Sequence, residues 1–189
     1  MTTPRGPGQR AGLSRDAVLG AARLLLAEDG LERLTMRAIA DALGVAPNAL
    51  YSHVASKSAM VDDLLDGVLA AVAAPSGDDP ATGLREVMAS TYDVLIAHAD
   101  LVPVYLARQG SRGPNAQRLG VIMNDLLGRA GLEGTAVGEA RRVLIVYAIG
   151  FAAFSTPGGT DPAAVGVEPA RANFNRGLGW LVDGIIGAD

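Results

Sequence analysis

The chain has 189 residues, of which 49% are hydrophobic and 19% are charged. This composition is typical of a globular protein, and the length allows one or two domains with a buried core. The absence of cysteine excludes a disulfide framework, thiol catalysis and a cysteine-based zinc site. The net charge of −4 is unevenly distributed, because residues 1–60 carry seven Lys/Arg and five Asp/Glu, whereas residues 61–189 carry nine and fifteen. The N-terminal end is therefore modestly basic and the remainder acidic, which is compatible with a nucleic-acid-binding face on an acidic body but does not by itself indicate one.

No targeting or membrane-spanning segment is predicted. Residues 1–15 lack the apolar stretch of a signal peptide. The longest apolar run, residues 143–154, has twelve residues and is shorter than the roughly 20 residues needed to cross a bilayer. We therefore expect a soluble, cytoplasmic protein that does not bind membranes.

Residues 1–13 form a Gly/Pro-rich segment that carries Arg5 and Arg10. Such a segment cannot bury enough apolar surface to fold by itself. It is either an unstructured tail or a flexible basic arm whose arginines enter the DNA minor groove.

Residues 14–60 contain signals for three short helices. The first begins at Ser14 and stops at Gly30. The second has Thr35 as its N-cap and ends at Gly44, where a left-handed residue is easily accommodated. Pro47 suits the first turn of the third helix, since no intrahelical N–H bond is lost there. This arrangement predicts a helix-turn-helix with a small, polar and aromatic outer face.

The spacing within this motif is specific. The strings Leu-Thr-Met-Arg-Ala-Ile-Ala, Leu-Gly-Val, Leu-Tyr-Ser-His-Val and Ser-Lys follow one another between Leu34 and Lys57. Together they resemble the DNA-binding end of the tetracycline-repressor (TetR) family over residues 14–65. The resemblance implies an N-terminal helix-turn-helix domain and a C-terminal domain for effector binding and dimerisation.

The resemblance also implies which residues meet DNA. Five positions match those at which family members touch base edges: Arg37, Pro47, Asn48, Tyr51 and His53. Five others match positions at or beside phosphate contacts: Thr35, Met36, Ala49, Ser52 and Lys57. The chemistry of Arg, Asn, Pro and Tyr suits base edges and thymine methyl groups, and Lys, Thr and Ser suit phosphate oxygens.

The rest of the chain also reads as helical, without sustained period-two alternation. A fourth helix is predicted at 58–74 with Ser56 or Ser58 as its cap, and further helices at 82–99, 101–108, 114–130, 135–155 and 169–186. Residues 156–168 are predicted to be irregular. The fold is therefore all-α, with a boundary between residues 60 and 61.

Two of these helices have unusually apolar sequences. The helix at 135–155 is apolar on nearly every side after Arg142, which predicts that it is buried all round. The last helix has an apolar stripe and three internal glycines. These helices either complete the monomer core or pair with their copies across a two-fold axis. The resemblance implies the second arrangement, so we predict a homodimer.

A small-molecule pocket is expected where polar and aromatic side chains stand among apolar neighbours. Eight candidates meet that description: Tyr92, His98, Tyr105, Arg108, Asn124, Tyr147, Phe151 and Trp180. Each could equally be an ordinary core residue. In tetracycline-binding members of the family, a histidine that ligates magnesium stands where this chain has Tyr105. We therefore predict a small apolar or aromatic effector, with no metal or cofactor.

Asp62, Asp63 and Asp66 are interpreted as helix-end charges and a solvated edge rather than as metal ligands, since no histidine lies nearby in sequence. Two histidines, no cysteine, no phosphate loop and no G-x-S-x-G motif leave little from which to build an enzyme. The predicted function is a ligand-responsive transcriptional repressor that an effector releases from a palindromic double-stranded DNA operator. The alternative is a helical ligand- or partner-binding module without sequence-specific DNA binding.

Overall fold

The computed structural model describes residues 13–110, 112–155 and 166–187. Within these ranges every regular element is a helix, which confirms the predicted all-α class. The predicted basic arm and most of the predicted irregular segment at 156–168 lie outside the described residues. Contacts divide the chain into two compact units, which meet in sequence between Met60 and Val61.

The described part of the first unit contains three complete helices and the start of a fourth. Their bounds are α1 Arg15–Arg33, α2 Met36–Leu43, α3 Pro47–Leu50 and α4 Lys57–Val68. The second unit contains the rest of α4, followed by α5 Pro80–Ala97, α6 Val102–Arg108, α7 Pro114–Arg129, α8 Thr135–Ser155 and α9 Val167–Ile186. A short 3-10 turn at Leu69–Ala71 follows α4, and another at Ala99–Leu101 precedes α6.

Local signals account for the helices of the first unit. The Ser14 hydroxyl accepts a hydrogen bond from the Ala17 amide at 3.1 Å and so caps α1. Gly30 interrupts α1 with φ 76°, a left-handed value that favours glycine. Val18 and Leu26 are buried on the face of α1 that packs against α2. This apolar contact holds the helix-turn-helix to its supporting helix.

In the second unit, α5 packs against α7, α8 and α9. Its Tyr92 is buried and stacks on Phe174 of α9, with ring centroids 4.2 Å apart. Phe151 of α8 meets Tyr92 edge-on at 6.1 Å. Buried aromatic groups in these arrangements contribute about 0.5–1.5 kcal/mol per pair beyond their area. The cluster therefore forms the centre of this unit's core.

Several predicted helix ends differ from the observed ones, and the fourth and fifth helices show the physical reason. The fourth helix ends at Val68, not at residue 74, because a 3-10 turn and an extended Val72 follow it. Arg118 of α7 donates to the carbonyls of Leu69 and Val72, each at 3.2 Å, and so stabilises this early termination. The fifth helix begins at Pro80 instead of residue 82, since the Asp79 carboxylate caps it by accepting from the Thr82 amide at 2.8 Å.

The prediction that the helix at 135–155 is buried on every side was also wrong for the single chain. Leu144, Ala148 and Ala152 face the core, but Val146 is 63% exposed and Phe154 is 76% exposed. The uniform hydrophobicity therefore does not reflect complete burial within one chain. One face of α8 is left as exposed apolar surface.

Among the described residues, no single helix is long and apolar enough to cross a membrane. One pair of successive helical segments reaches the required length and hydropathy when the two are taken together. These segments are Pro80–Ala97 and Ala99–Arg108, and the chain bends by 91° between them.

Candidate nucleic-acid interface and ligand cavity

The turn between α2 and α3 is built by Gly44. Its φ is 65°, and its amide donates to the carbonyls of Ala40 and Asp41. The Val45 amide donates to the Ala40 carbonyl at 3.0 Å, which completes a helix C-terminal motif. Pro47 then begins α3. This turn fixes the direction in which α3 leaves α2 and gives the unit the geometry of a helix-turn-helix.

Burial divides the residues of the turn and α3 into two faces. Leu50 and Val54 are buried, and their spacing of four residues places them on one side. The opposite side is open to solvent, and Tyr51 on it is 53% exposed. Seven of the ten predicted DNA-contacting residues are exposed: Thr35, Arg37, Pro47, Asn48, Ala49, Tyr51 and Ser52. Helix α3 therefore presents polar and aromatic side chains outward from a buried apolar anchor.

The hydroxyls of this face are already used within the chain. Thr35 Oγ1 accepts from the Ala38 amide at 3.0 Å, which leaves its own hydrogen available to a phosphate oxygen. Ser52 Oγ donates to the Ala49 carbonyl at 2.8 Å. Because a serine hydroxyl has one hydrogen, Ser52 can donate to a phosphate only after it breaks that bond.

The other three predicted DNA-contacting residues, Met36, His53 and Lys57, are half-buried. Lys57 Nζ donates to the Leu31 carbonyl at 2.9 Å, just after the break in α1. An ammonium group has three donors, so this bond leaves two for an external partner. Lys57 therefore has a structural contact that its sequence position did not reveal.

The second unit contains a cavity of about 550 Å³ between α5, α6, α7 and α8. Most of its wall is apolar, and polar groups lie among the apolar side chains. Its lining includes Met88, Thr91, Leu95, Tyr105, Gln109, Arg112, Leu119, Met123, Asn124, Arg141, Ile145 and Ile149. The volume and the mixture of apolar and polar groups are typical of small-molecule sites.

Two of the eight predicted pocket residues line this cavity, Tyr105 and Asn124. Tyr105 is buried, and its hydroxyl donates to the Leu65 carbonyl of α4. Asn124 Oδ1 accepts from Arg141 Nη1 at 3.0 Å. The cavity therefore places an aromatic ring near α4 and an amide–guanidinium pair on the facing helices α7 and α8.

The other six candidates do not line this cavity. Tyr92 belongs to the aromatic core, and its hydroxyl has no hydrogen-bond partner among the described residues. His98 forms the C-cap of α5. Arg108 donates to Asp62 at 2.7 Å across α6 and α4.

Tyr147, Phe151 and Trp180 instead line a separate open groove between α8 and α9. The Tyr147 hydroxyl donates to the Phe174 carbonyl at 2.9 Å, and burial raises the pKa of Tyr147 above its ordinary value. Trp180 is 71% exposed.

The interpretation of the aspartates of α4 as a solvated edge was wrong for Asp66. This side chain is buried and accepts from the amides of Asn115 and Ala116 at 3.0 and 2.9 Å. It therefore caps the N-terminus of α7, where the helix dipole favours a carboxylate. An ideal Cβ on Gly113 would lie 2.6 Å from Asp66 Oδ2, so this close approach requires glycine.

Arg141, Thr91 and Met123 were not among the sequence candidates, although they line the cavity. Arg141 and Arg142 precede the long apolar run of α8. A cationic side chain at the start of such a run was the available signal. It could not indicate which of the two arginines faces inward.

Comparison with known proteins agrees with this geometry. Residues 18–64 match the model of the family described as bacterial regulatory proteins, tetR family. A regulator from Saccharopolyspora erythraea, named as an HTH-type transcriptional regulator, is 30% identical over an alignment 200 positions long, which covers 92% of this chain and 84% of that protein. The match to the KstR2 repressor of Rhodococcus jostii, at 35% identity, spans only about half the length of each protein (48%).

Solved structures are similar along most of the chain. BioQ with its natural double-stranded DNA operator is 27% identical, with a TM-score of 0.70 and coverage of 93% of this chain and 99% of that one. A TetR variant from Acinetobacter baumannii in complex with minocycline is 27% identical, with a TM-score of 0.74 and coverage of 91% and 96%.

The fold, the exposed α3 face and these matches define a helix-turn-helix transcriptional regulator. The chain belongs to the tetR family of bacterial regulatory proteins. The predicted family and the predicted class of function, a ligand-responsive DNA-binding repressor, are therefore confirmed. The individual DNA and effector contacts remain predictions.

Proposed function

We propose that the protein is a homodimeric repressor that binds a palindromic operator through α3 and releases it when a small molecule enters the cavity of the second unit. The observation that carries this proposal is the division of α3 and the following turn into two faces. Leu50 and Val54 anchor the segment, so Asn48 and Tyr51 are presented to solvent. An exposed helix held in this way suits insertion into the major groove.

On this proposal, Arg37 and Asn48 read bases, and Thr35 and Lys57 hold the phosphate backbone. Arg37 is exposed and forms no ion pair with any described carboxylate, so its guanidinium is available to guanine O6 and N7. The Asn48 amide matches adenine N6 and N7. Each contact of this kind contributes about 1–3 kcal/mol to discrimination between bases.

The exposed apolar face of α8 supports a dimer. Val143, Val146 and Phe154 on α8 and Trp180 on α9 are exposed in the single chain. Pairing of these helices with their copies would remove this surface from water, which is favourable. A two-fold dimer would present two α3 helices to successive major grooves, about 34 Å apart.

Contacts between α4 and the cavity walls support release by a ligand. Tyr105 lines the cavity, and its hydroxyl donates a hydrogen bond to the Leu65 carbonyl of α4. Asp66 of α4 caps α7, another wall of the cavity. An effector that shifts α6 or α7 would change the position of α4, which begins in the DNA-binding unit. Only a ligand that binds one of two conformations more tightly can shift their populations.

The proposal is tested by selecting genomic fragments bound by the purified protein and measuring their affinity by gel shift. We expect palindromic fragments to be enriched, and we expect Asn48→Ala to weaken binding by about 1–3 kcal/mol with relaxed preference at one position per half-site. Asn175→Ala, at an exposed asparagine of α9 that does not line the groove beside Trp180, is the matched control. If no fragment is retained even at low salt, the protein is instead a ligand- or partner-binding module.

A further inference from the structure

The charges that line the cavity differ from those of the unit that contains it. Residues 61–189 carry nine arginines and fifteen acidic residues. Among the described residues, however, the charged side chains that line the cavity are Arg112 and Arg141, and no carboxylate joins them. The acidic unit therefore encloses a space whose own charge is positive.

Arg141 reaches this space from the first half of α8. Its Nη1 donates to Asn124 Oδ1 of α7 at 3.0 Å. The same nitrogen would lie 3.4 Å from an ideal Cβ on Gly120, so the guanidinium lies against α7 where the side chain is smallest. Its hydrogen-bond partner is a neutral amide, and it forms no ion pair with a described carboxylate. A guanidinium has five N–H donors, so most of them remain available.

Much of the wall that α5 and α8 contribute beside Arg141 is apolar. Ile145 and Ile149 follow Arg141 at intervals of four residues on α8, and all three line the cavity. Met88 and Leu95 of α5 line it as well. A ligand that fills this space must therefore combine an apolar body with one group able to pair with a guanidinium.

We propose that the effector is an amphipathic organic acid, whose carboxylate binds Arg141 and whose hydrocarbon body lies against α5 and α8. This inference deepens the proposed function by naming the chemical class of its effector. A carboxylate matches the guanidinium because it accepts two parallel N–H bonds. Asn124 completes the site, since its Oδ1 orients Arg141 and its amide NH₂ can donate to the same carboxylate.

Arg112 is the second cation of the lining but has a different position. Its Nη1 donates to the Arg108 carbonyl at 3.3 Å, at the end of α6. Arg112 therefore caps the C-terminus of α6 beside the cavity, because a cation interacts favourably with the terminal carbonyls of a helix. We assign the carboxylate to Arg141 and a general positive potential to Arg112.

The test uses three unbranched ten-carbon probes whose head groups are anionic, neutral and cationic: decanoate, decanol and protonated decylamine. Isothermal titration calorimetry of the full chain, without DNA, measures the dissociation constant of each. We expect decanoate to bind about ten- to a hundredfold more tightly than decanol, which is the contribution expected of a charge-assisted hydrogen-bonded pair. Decylamine should bind more weakly than either.

Substitutions assign the preference to one side chain. Arg141→Met should reduce decanoate binding to the level of decanol and leave decanol unchanged, and Arg141→Lys should restore part of the preference. Arg142→Met, at the exposed neighbouring arginine that does not line the cavity, is the matched control. Circular dichroism on each variant establishes that the helical fold is retained.

The inference is overturned if the wild-type protein binds decanoate and decanol equally, or if it binds none of the three probes. It is also overturned if the preference for decanoate survives Arg141→Met but is lost in Arg142→Met or Arg112→Met. These outcomes are independent of DNA binding. A protein that prefers decanoate but retains no operator fragment would contradict the proposed repressor alone. A protein that binds an operator but shows no such preference would contradict the effector class alone.

Discussion

Lys57 shows how one side chain serves the fold and is also placed to serve the proposed DNA contact. It is the only lysine of the chain, and its Nζ donates to the Leu31 carbonyl at 2.9 Å. Leu31 follows Gly30, where α1 loses its helical geometry and its carbonyls lose their regular partners. The lysine therefore ties the start of α4 to the end of α1, while two of its three donors remain.

Replacing Lys57 by Met should have two separable effects. Loss of the bond to Leu31 should lower the free energy of unfolding by about 1 kcal/mol. Loss of the charge should weaken binding to all DNA sequences similarly and lower the slope of log affinity against log salt by about one. The slope is measured by fluorescence anisotropy across a salt series.

Arg33→Met is the matched control, because Arg33 carries the same charge in the same unit but pairs with Asp29 at 3.3 Å. It should leave the salt slope nearly unchanged. If Lys57→Met lowers stability but leaves the slope unaltered, the lysine is structural and the phosphate assignment is wrong.

At the scale of the elements, the start of α5 depends on two carboxylates. Hydrogen bonds from the side chain and backbone of Thr82 lower the pKa of Asp79 below its ordinary value. Hydrogen bonds from the backbone and side chain of Ser76 likewise lower the pKa of Glu86. Glu86 accepts from the Ser76 amide at 2.7 Å and from its hydroxyl at 2.8 Å. The two residues hold the loop before α5 against the helix.

The sign of the resulting pH dependence follows from the direction of these shifts. A carboxyl whose folded-state pKa is depressed stabilises the fold above its unfolded-state pKa, and this contribution is lost as the pH falls. The thermal midpoint should therefore decrease as the pH is lowered below about 4. The double variant Asp79→Asn, Glu86→Gln should show a smaller decrease, because Asn still caps a helix but does not titrate in this range.

The double variant Glu133→Gln, Glu139→Gln, at two exposed positions elsewhere in the second unit, controls for the loss of two negative charges. The midpoints are measured by circular dichroism between pH 6 and pH 3. If the thermal midpoint decreases by the same amount in acid in the Asp79→Asn, Glu86→Gln double variant and in the wild type, these two carboxylates are not the cause of the decrease.

At the scale of the whole molecule, the exposed apolar face of α8 and α9 is the feature that a single chain leaves unexplained. Val146, Phe154 and Trp180 are each more than half exposed. By contrast, the presence of glycine at position 177 of α9 has an explanation within the single chain, because an ideal Cβ there would collide with the Tyr147 hydroxyl. The proposed dimer gives the exposed groups a partner surface.

Val146→Arg should therefore convert a dimer of twice 19.3 kDa into a monomer of 19.3 kDa, because it would bury a charge without a partner at the proposed interface. It should also weaken binding to a palindromic operator, since each monomer contacts one half-site. Light scattering after size-exclusion chromatography measures the mass.

Leu106→Arg is the matched control, because Leu106 is 48% exposed but lies on α6 rather than on the proposed interface, and it does not line the cavity. It should remain dimeric. A wild-type protein that is monomeric in solution and on its operator, or a Val146→Arg variant that stays dimeric, contradicts the proposed assembly.

The helices could be predicted from the sequence because their signals are local. Ser14 and Thr35 cap their helices through amides three residues away, and Gly44 ends α2 through carbonyls three and four residues before it. The motif from Leu34 to Lys57 is likewise contiguous. Interactions over such short separations are visible as spacings, so the all-α class and the family followed from the sequence alone.

Only the tertiary structure decided which side chains share a space. Asn124 and Arg141 meet across seventeen residues, Asp66 and Ala116 across fifty, and Lys57 and Leu31 across twenty-six. Hydrophobicity could not distinguish the buried Leu144 from the exposed Val146 on the same helix. Periodicity states which residues lie on one face of a helix, but the packing of other helices determines which face is covered and where a cavity remains.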